Sequence, residues 1–209
     1  MMNETTPARG RFITFEGIDG AGKSSQIDAV EAFLKGRGIE VVRTREPGGT
    51  PVAEKIRGLL LHDGMGADCE TLLFFAARAE HLRQVIRPAL ARGAWVLSDR
   101  FTDATYAYQV GGKGYPAERV ELLEKMVQGE LGPDKTVLFD LDPKIAAERL
   151  AKARAADRFE SEGLPFFTGV REAYLTRARA NPERFVILNS AESLEVVREK
   201  ILKEAATWL

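Results

Sequence analysis

The amino-acid sequence predicts an α/β fold, a parallel sheet covered by helices on both faces, and three observations carry that expectation. Short apolar runs of strand length recur along the chain. Longer segments of helical period separate them. A glycine-rich stretch stands directly between the first such strand and the first such helix. The strand candidates are Phe12 to Glu16, Ile39 to Arg43, Trp95 to Ser98, Thr136 to Leu141 and Phe185 to Leu188, each rich in Val, Ile, Phe or Leu. Near-continuous apolar runs of this kind suit strands buried on both faces.

The helices follow in order. Ile27, Val30, Phe33 and Leu34 share one face of a first helix, with Gly36 and Gly38 as stop signals. Thr50-Pro51 is an N-cap followed by proline at the first helical position, and Val52, Ile56, Leu59 and Leu60 continue that helix. Further helices are expected from about Glu70 to Arg92, Pro116 to Leu131, Pro143 to Ala155, around Phe166 to Ala180, and Leu194 to Trp208. The stretches Glu46-Pro47-Gly48-Gly49 and Gly111-Gly112-Lys113-Gly114 read as loops. Strands alternating with helices form βαβ units, whose crossovers place helices on both sides of one sheet.

Composition limits the function. The 209 residues fit one domain, and at 44% hydrophobic they can bury a core without metals or disulfides. Thirty Lys plus Arg stand against 31 Asp plus Glu, a formal charge of −1, so the basic excess of a protein that coats nucleic acid or an anionic membrane is absent. Cys69 is the single cysteine, the first residues carry no apolar leader, and the longest apolar run, Leu72 to Ala77, is far short of a bilayer span. A cytoplasmic, soluble protein is the expectation. Asn3-Glu4-Thr5 has the form of a glycosylation sequon, but without a secretory leader it reads as a frayed terminus.

Gly17-Ile18-Asp19-Gly20-Ala21-Gly22-Lys23-Ser24 satisfies G-x-x-x-x-G-K-[ST]. In a chain of this composition a chance match has a probability on the order of one in a hundred, and the strand before it and helix after it lower that further. Backbone N–H groups and the helix N-terminus would wrap a triphosphate, Lys23 would reach the β and γ phosphates, and Ser24 would ligate Mg²⁺. Such a loop identifies the nucleotide but leaves open a small-molecule kinase, a GTPase switch or a partition ATPase. No Asn-Lys-x-Asp segment is present, which weakens the switch. Asp99, ending the third strand, is the preferred second metal contact over Asp140, because Arg100 follows it and adds an anion-binding group.

Arg45 and Arg100 follow successive strands, where ligands of open α/β sheets gather, and could converge on a second phosphate. From Lys144 to Arg158 there are five basic and two acidic residues, a pattern that fits an exposed helix face and a mobile basic lid equally well. Phe74 and Arg78 lie one helical turn apart, so they could offer stacking and carbonyl recognition to a base, while Phe75 reads as core. Tyr106 and Tyr108 could line the same pocket. Asn189-Ser190-Ala191, after the last strand, reads equally as an adenine-pocket edge or an ordinary turn.

Taken together, Phe15 to Ser24, Thr44-Arg45-Glu46-Pro47-Gly48-Gly49-Thr50, Phe74-Phe75-Ala76-Ala77-Arg78, Asp99-Arg100-Phe101 with Ala107-Tyr108-Gln109, and Asp157-Arg158-Phe159-Glu160 closely resemble the bacterial thymidylate kinases. The resemblance spans nearly the whole chain, and the Arg-Glu-Pro-Gly-Gly-Thr block is its most discriminating part. It implies a phosphate-loop NTPase fold of the nucleoside monophosphate kinase kind, with five parallel strands in a single domain (1–209), a small lid at about 149–162, and a homodimer. It implies transfer of the γ-phosphoryl group from ATP·Mg²⁺ to dTMP, giving dTDP and ADP for dTTP synthesis.

The resemblance further implies that Gly17 to Ser25 (Gly17, Ile18, Asp19, Gly20, Ala21, Gly22, Lys23, Ser24, Ser25) hold ATP, with Ser24 and Asp99 at the metal. Asp19, Arg45, Phe74, Arg78, Arg100, Thr105 and Tyr108 would bind dTMP: Arg45 and Arg100 at its phosphate, Phe74 and Arg78 at its base, Tyr108 against the sugar. Lys23, Asp19, Arg100 and Arg154 would serve the transfer itself. Gly20 stands where some members carry a basic residue, and the lid instead offers Arg149, Arg154 and Arg158, which favours a lid arginine as the transition-state cation, Arg154 first. Ala104 and Phe101 replace the more usual Ser and Tyr, which redistributes hydrogen bonds around the nucleoside. The competing readings are another nucleoside monophosphate or deoxynucleoside kinase and a switch or partition ATPase.

Overall fold

The structure, a computed structural model, describes residues 9–150, 159 and 162–209. Five strands, β1 (Phe12–Glu16), β2 (Val41–Arg45), β3 (Trp95–Asp99), β4 (Lys135–Asp140) and β5 (Phe185–Asn189), form one parallel sheet in the order β2-β3-β1-β4-β5. β1 is central and buried at all five positions, as its unbroken apolar run predicts. The chain leaves β1 towards one edge of the sheet and, after β3, crosses back past β1 to the other. A crevice opens where such a reversal occurs, at the carboxyl ends of the strands, so the residues that follow β1, β2 and β3 surround it.

Among the described residues, helices α1 (Lys23–Lys35), α2 (Pro51–His62), α3 (Ala67–His81), α4 (Arg87–Ala91), α5 (Thr102–Thr105), α6 (Ala117–Gln128), α7 (Pro143–Leu150), α8 (Leu164–Ala180) and α9 (Leu194–Ala206) connect and cover the strands. Thr50 caps α2 as expected, its Oγ1 accepting from the Ala53 N–H at 3.2 Å with Pro51 at the first position. The main core joins β1 and β4 to α1, α8 and α9 and encloses Phe15, Leu34, Phe139, Tyr174 and Trp208. A second cluster around Phe12, Ile86, Leu90 and Phe101 packs the opposite face.

Two regions differ from the sequence expectation. The helix anticipated from Glu70 to Arg92 is interrupted by a π-helical turn, Leu82–Ile86, between α3 and α4. Pro88 lacks an N–H and its ring would crowd the carbonyl four residues earlier, so a wider turn just before it relieves the conflict. The second difference concerns Gly111 and Gly112, expected in a loop. They end a second π-helical segment, Tyr106–Gly112, that lies directly against α8. A Cβ on Gly111 would come within 2.4 Å of the Ala173 Cβ and 2.6 Å of the Gly169 carbonyl, so the glycines permit backbone contact between two helices rather than a turn. Smaller shifts also occur: β2 starts at Val41 and ends at Arg45, and α6 stops at Gln128, where Gly129 takes a positive φ of 61°.

Candidate active site

The glycine-rich loop runs from the end of β1 into α1. Gly22 has a φ of 79°, and α1 starts at the next residue with no side-chain cap, so its first-turn N–H groups are not satisfied by a neighbouring side chain. Lys23 folds back across the loop: its Nζ donates to the carbonyls of Gly17 (3.2 Å) and Ile18 (3.4 Å) and lies 4.0 Å from Asp19 Oδ1. Burial and the nearby Arg100 charge lower the Lys23 pKa, partly offset by Asp99 and Asp19. Arg149, from α7, donates to the Gly20 carbonyl at 3.3 Å and so stands at the same loop. Ser24 is exposed at the start of α1.

Arg100 organises the space beside this loop. It is the one non-glycine residue of positive φ among those described (69°), a backbone strain that marks a functional position. Its Nη2 donates to Asp19 Oδ2 at 3.0 Å and to the Tyr108 hydroxyl at 2.9 Å, and its Nη1 to the Tyr174 hydroxyl at 3.1 Å. Tyr174 in turn donates to Glu16 Oε2 at 2.7 Å, and the Phe101 N–H donates to Glu16 Oε1 at 2.7 Å. Burial would raise the Asp19 pKa, but Arg100 and Lys23 outweigh it and hold the carboxyl well below the usual range. Glu16 goes the other way: burial, reinforced by Asp103, pushes it up to about 8. Two carboxylates at the end of the same strand, β1, therefore carry different charges at neutral pH.

Asp99 ends β3 with its Oδ1 buried and without a hydrogen-bond partner. Asp140, the other candidate, is held by both Nε and Nη2 of Arg171 at 2.6 and 2.9 Å. A buried carboxylate oxygen left without a donor suits a cation, whereas a carboxylate gripped by a guanidinium already has its partner.

The cleft enclosed by these groups has about 670 Å³ of space up to and including its open mouth. Asp19, Glu46, Arg57, Phe74, Arg78, Arg100, Thr105, Tyr108, Gln109 and Phe159 are among the residues that line it. Phe74 is half-buried and presents its ring near Phe159, the centroids 6.1 Å apart. Arg78 is 2% exposed, its Nε on Glu46 (2.7 Å) and its Nη2 on Thr105 Oγ1 (3.1 Å), while Nη1 is buried without a partner. The lining thus combines guanidinium groups with an aromatic ring and an unpartnered buried nitrogen.

The family model for thymidylate kinase matches residues 15–201. The chain belongs to the thymidylate kinase family. It is 57% identical over 194 residues to a thymidylate kinase of Methylobacillus flagellatus, covering 93% of this chain and 96% of that one. It is 58% identical over 195 residues to one of Pseudomonas putida, covering 92% and 93% of the two chains. The crystal structure of thymidylate kinase from Ehrlichia chaffeensis superposes with a TM-score of 0.78 at 32% identity, over 95% of this chain and 99% of that one.

Against this family background, the structure brings Asp19, Phe74, Arg78, Arg100, Thr105 and Tyr108 to one cleft, with Lys23 and Asp99 beside it. Arg45 is not there. It turns outwards, 55% exposed, and pairs with Glu54 at 3.0 Å, because alternate residues of β2 face opposite sides and Glu54 approaches from the first turn of α2. Arg57, also on α2, lines the cleft instead, its Nη1 donating to the Pro47 carbonyl at 3.0 Å. Its spacing of four from Leu61, which also lines the cleft, is the sequence signal that would have found it. Tyr106 likewise departs from expectation, packing with Phe75 and Val120 and donating to Glu124 at 2.6 Å. Arg154 and Arg158 lie outside the described residues.

Proposed function

We infer that this chain transfers the γ-phosphoryl group of ATP to dTMP, giving dTDP and ADP, and that the cleft between Arg57, Arg100 and Phe74 is its dTMP site. The observation that carries the reading is the lining of that cleft: the Arg57 and Arg100 guanidiniums, Tyr108, the half-buried Phe74 ring, and Arg78 with its buried Nη1 unpartnered. Arg57 and Arg100 receive the dTMP phosphate, and Arg45 has no direct part in it. Phe74 stacks on the base and Arg78, with Thr105, meets its polar edge. Asp19 and Tyr108 together press on the sugar and fix Arg100.

ATP lies along Gly17 to Ser25, its phosphates on loop N–H groups, on Lys23 and on the N-terminus of α1. Breaking the contacts of Lys23 with the Gly17 and Ile18 carbonyls frees it for the phosphates. Asp99, with its unpartnered oxygen, and the Ser24 hydroxyl fit Mg²⁺. The cation would neutralise charge on the bridging phosphate oxygens when bound. An already ionised dTMP oxygen needs no general base, so the residues act by alignment and charge.

A lid at about 149–162 carries Arg149, Arg154 and Arg158. Arg149 stands at the phosphate loop, and Arg154 supplies the charge that meets the moving phosphoryl group. Arg154→Ala should lower kcat by 10³-fold or more, roughly the worth of a transition-state arginine, with little change in KM for dTMP; near-normal kcat would remove Arg154 from the role. The loop Asn189-Ser190-Ala191 borders the adenine; Ser190 Oγ is buried without a partner there, and Leu194 reaches the phosphate loop at Gly22.

A homodimer completes the reading. Leu72 on α3 and Leu122 and Met126 on the adjoining α6 are 53%, 70% and 73% exposed, an apolar face that a second copy would cover. A cytoplasmic location fits the single cysteine and the absence, among the described residues, of a helix long and apolar enough to cross a membrane. The decisive assay is steady-state ADP release from ATP·Mg²⁺ with dTMP, dUMP, AMP, CMP and GMP. Turnover strongly favouring dTMP supports the reading; activity highest with AMP or GMP would point to a different monophosphate kinase, and no stimulation by any of them to a switch.

A further inference from the structure

The base-facing end of the cleft rests on a buried chain of polar groups that the transfer itself does not employ. It begins at the Thr44 hydroxyl, 2.6 Å from His81 Nε2. The other ring nitrogen, Nδ1, is 2.9 Å from Glu46 Oε1, and the remaining carboxylate oxygen, Oε2, accepts from Arg78 Nε at 2.7 Å. His81 is 0% exposed and Glu46 5%, so water does not replace any link. Burial would favour a protonated Glu46, but the charge of Arg78 and the donor on His81 outweigh it and keep its pKa below the ordinary value. An ionised carboxylate only accepts, which places the His81 proton on Nδ1.

The division of the two Glu46 oxygens matters. A carboxylate with both oxygens free takes an arginine side-on, through Nε and Nη2 together. His81 occupies Oε1, so Glu46 holds Arg78 by Nε alone. Nη2 is then left for Thr105 at 3.1 Å, and Nη1 is buried with no protein partner, in a side chain that lines the cleft. With two corners of a planar group pinned, the direction of the third is determined. The ring of His81 is itself fixed from the opposite side, because the Gly49 backbone lies so close that a Cβ there would be 2.6 Å from Thr44 Oγ1 and 2.8 Å from His81 Nε2.

We propose that His81 is a positioning residue for acceptor choice: by occupying one oxygen of Glu46 it prevents side-on capture of Arg78, which would draw Nη2 away from Thr105 and turn the guanidinium plane, and so keeps Nη1 in the direction that meets a carbonyl of the pyrimidine. The proposal rests on the cleft being the monophosphate site. It concerns bases that present a carbonyl rather than an amino group at the ring edge facing Arg78, the difference between dTMP and dCMP.

The test is His81→Phe, which keeps an aromatic ring of similar size and removes both nitrogens, with His81→Gln, whose amide can still donate to Glu46. KM and kcat are measured for dTMP and dCMP, alongside KM for ATP and the melting temperature. In H81F the KM for dTMP should rise about tenfold or more, the loss of one well-aimed hydrogen bond from a charged donor, and the preference for dTMP over dCMP in kcat/KM should fall by a similar factor. KM for ATP and kcat at saturating dTMP should stay within about twofold, because the phosphate end is untouched, and H81Q should recover most of the preference. A lower melting temperature with unchanged KM for dTMP and an unchanged dTMP to dCMP ratio would overturn the proposal and leave His81 a packing residue. If H81F does not fold, Glu46→Gln takes its place: the same fall in the ratio supports the proposal and an unaltered ratio overturns it. Failure of the unsubstituted protein to use dTMP would instead count against the function assigned to the cleft.

Discussion

Tyr174→Phe isolates one hydroxyl that links the strained Arg100 to the floor of the sheet. That hydroxyl accepts from Arg100 Nη1 at 3.1 Å and donates to Glu16 Oε2 at 2.7 Å, in a side chain only 1% exposed. The first bond involves a charged donor and is worth about 1.5–3 kcal/mol; the second, to a Glu16 that is protonated at neutral pH, about 1 kcal/mol. Bonds in one network do not add fully, so the expected loss is about 2–4 kcal/mol. For a domain of this size each kcal/mol moves Tm by about 2–4 °C, giving a fall of roughly 5–15 °C by calorimetry. Arg100 keeps Asp19 and Tyr108 but loses its third anchor, so KM for dTMP should rise several-fold while KM for ATP changes little. A Tm within about 1 °C of the unsubstituted protein, together with an unchanged KM for dTMP, would refute the reasoning.

Three further predictions follow from the same geometry. Glu16 holds a proton in the folded protein up to about pH 8 that the unfolded chain releases near 4.5, so its contribution to stability falls as pH rises through that window and is level outside it; Glu16→Gln should remove this slope, and urea unfolding at pH 5, 6, 7 and 8 that shows the same slope in both proteins would contradict the assignment. Arg57→Ala should raise KM for dTMP by about 10- to 100-fold, the worth of a charge-assisted contact, and Arg45→Ala by less than about threefold, since Arg45 faces Glu54; the reverse order in steady-state kinetics would restore Arg45 to the site. Gly111→Ala forces a methyl group to within 2.4 Å of Ala173 and should cost about 1–3 kcal/mol or more in denaturant unfolding, whereas a loop glycine would tolerate the change.

Much of the fold was legible because its signals are local. Alternating apolar strands and amphipathic helices placed all five strands within two residues or so of their observed limits, and Thr50-Pro51 marked the start of α2. The phosphate loop was legible for the same reason, since strand, glycines, lysine and helix are contiguous. Less could be read where meaning depends on what a side chain meets across the fold. Tyr174 shares the apolar face of α8 with Phe166 and Val170 and reads as core; its hydroxyl matters only because Arg100 and Glu16 arrive from other elements. Strand ends gather ligands, so the sequence points to Arg45 and gives Arg57 no such mark, yet strand alternation sends Arg45 outwards and a helix face brings Arg57 to the cleft. Gly111 and Gly112 carry the composition of a turn, and only the approach of α8 gives them their other use.

The most direct test of the acceptor site is a crystal structure of the protein with dTMP and a non-hydrolysable ATP analogue. The expected result has the dTMP phosphate within hydrogen-bond distance of both Arg57 and Arg100, the base against Phe74, and a base carbonyl on Arg78. A phosphate bound at Arg45 and Glu54, or a base outside the Phe74 and Arg78 end of the cleft, would contradict it.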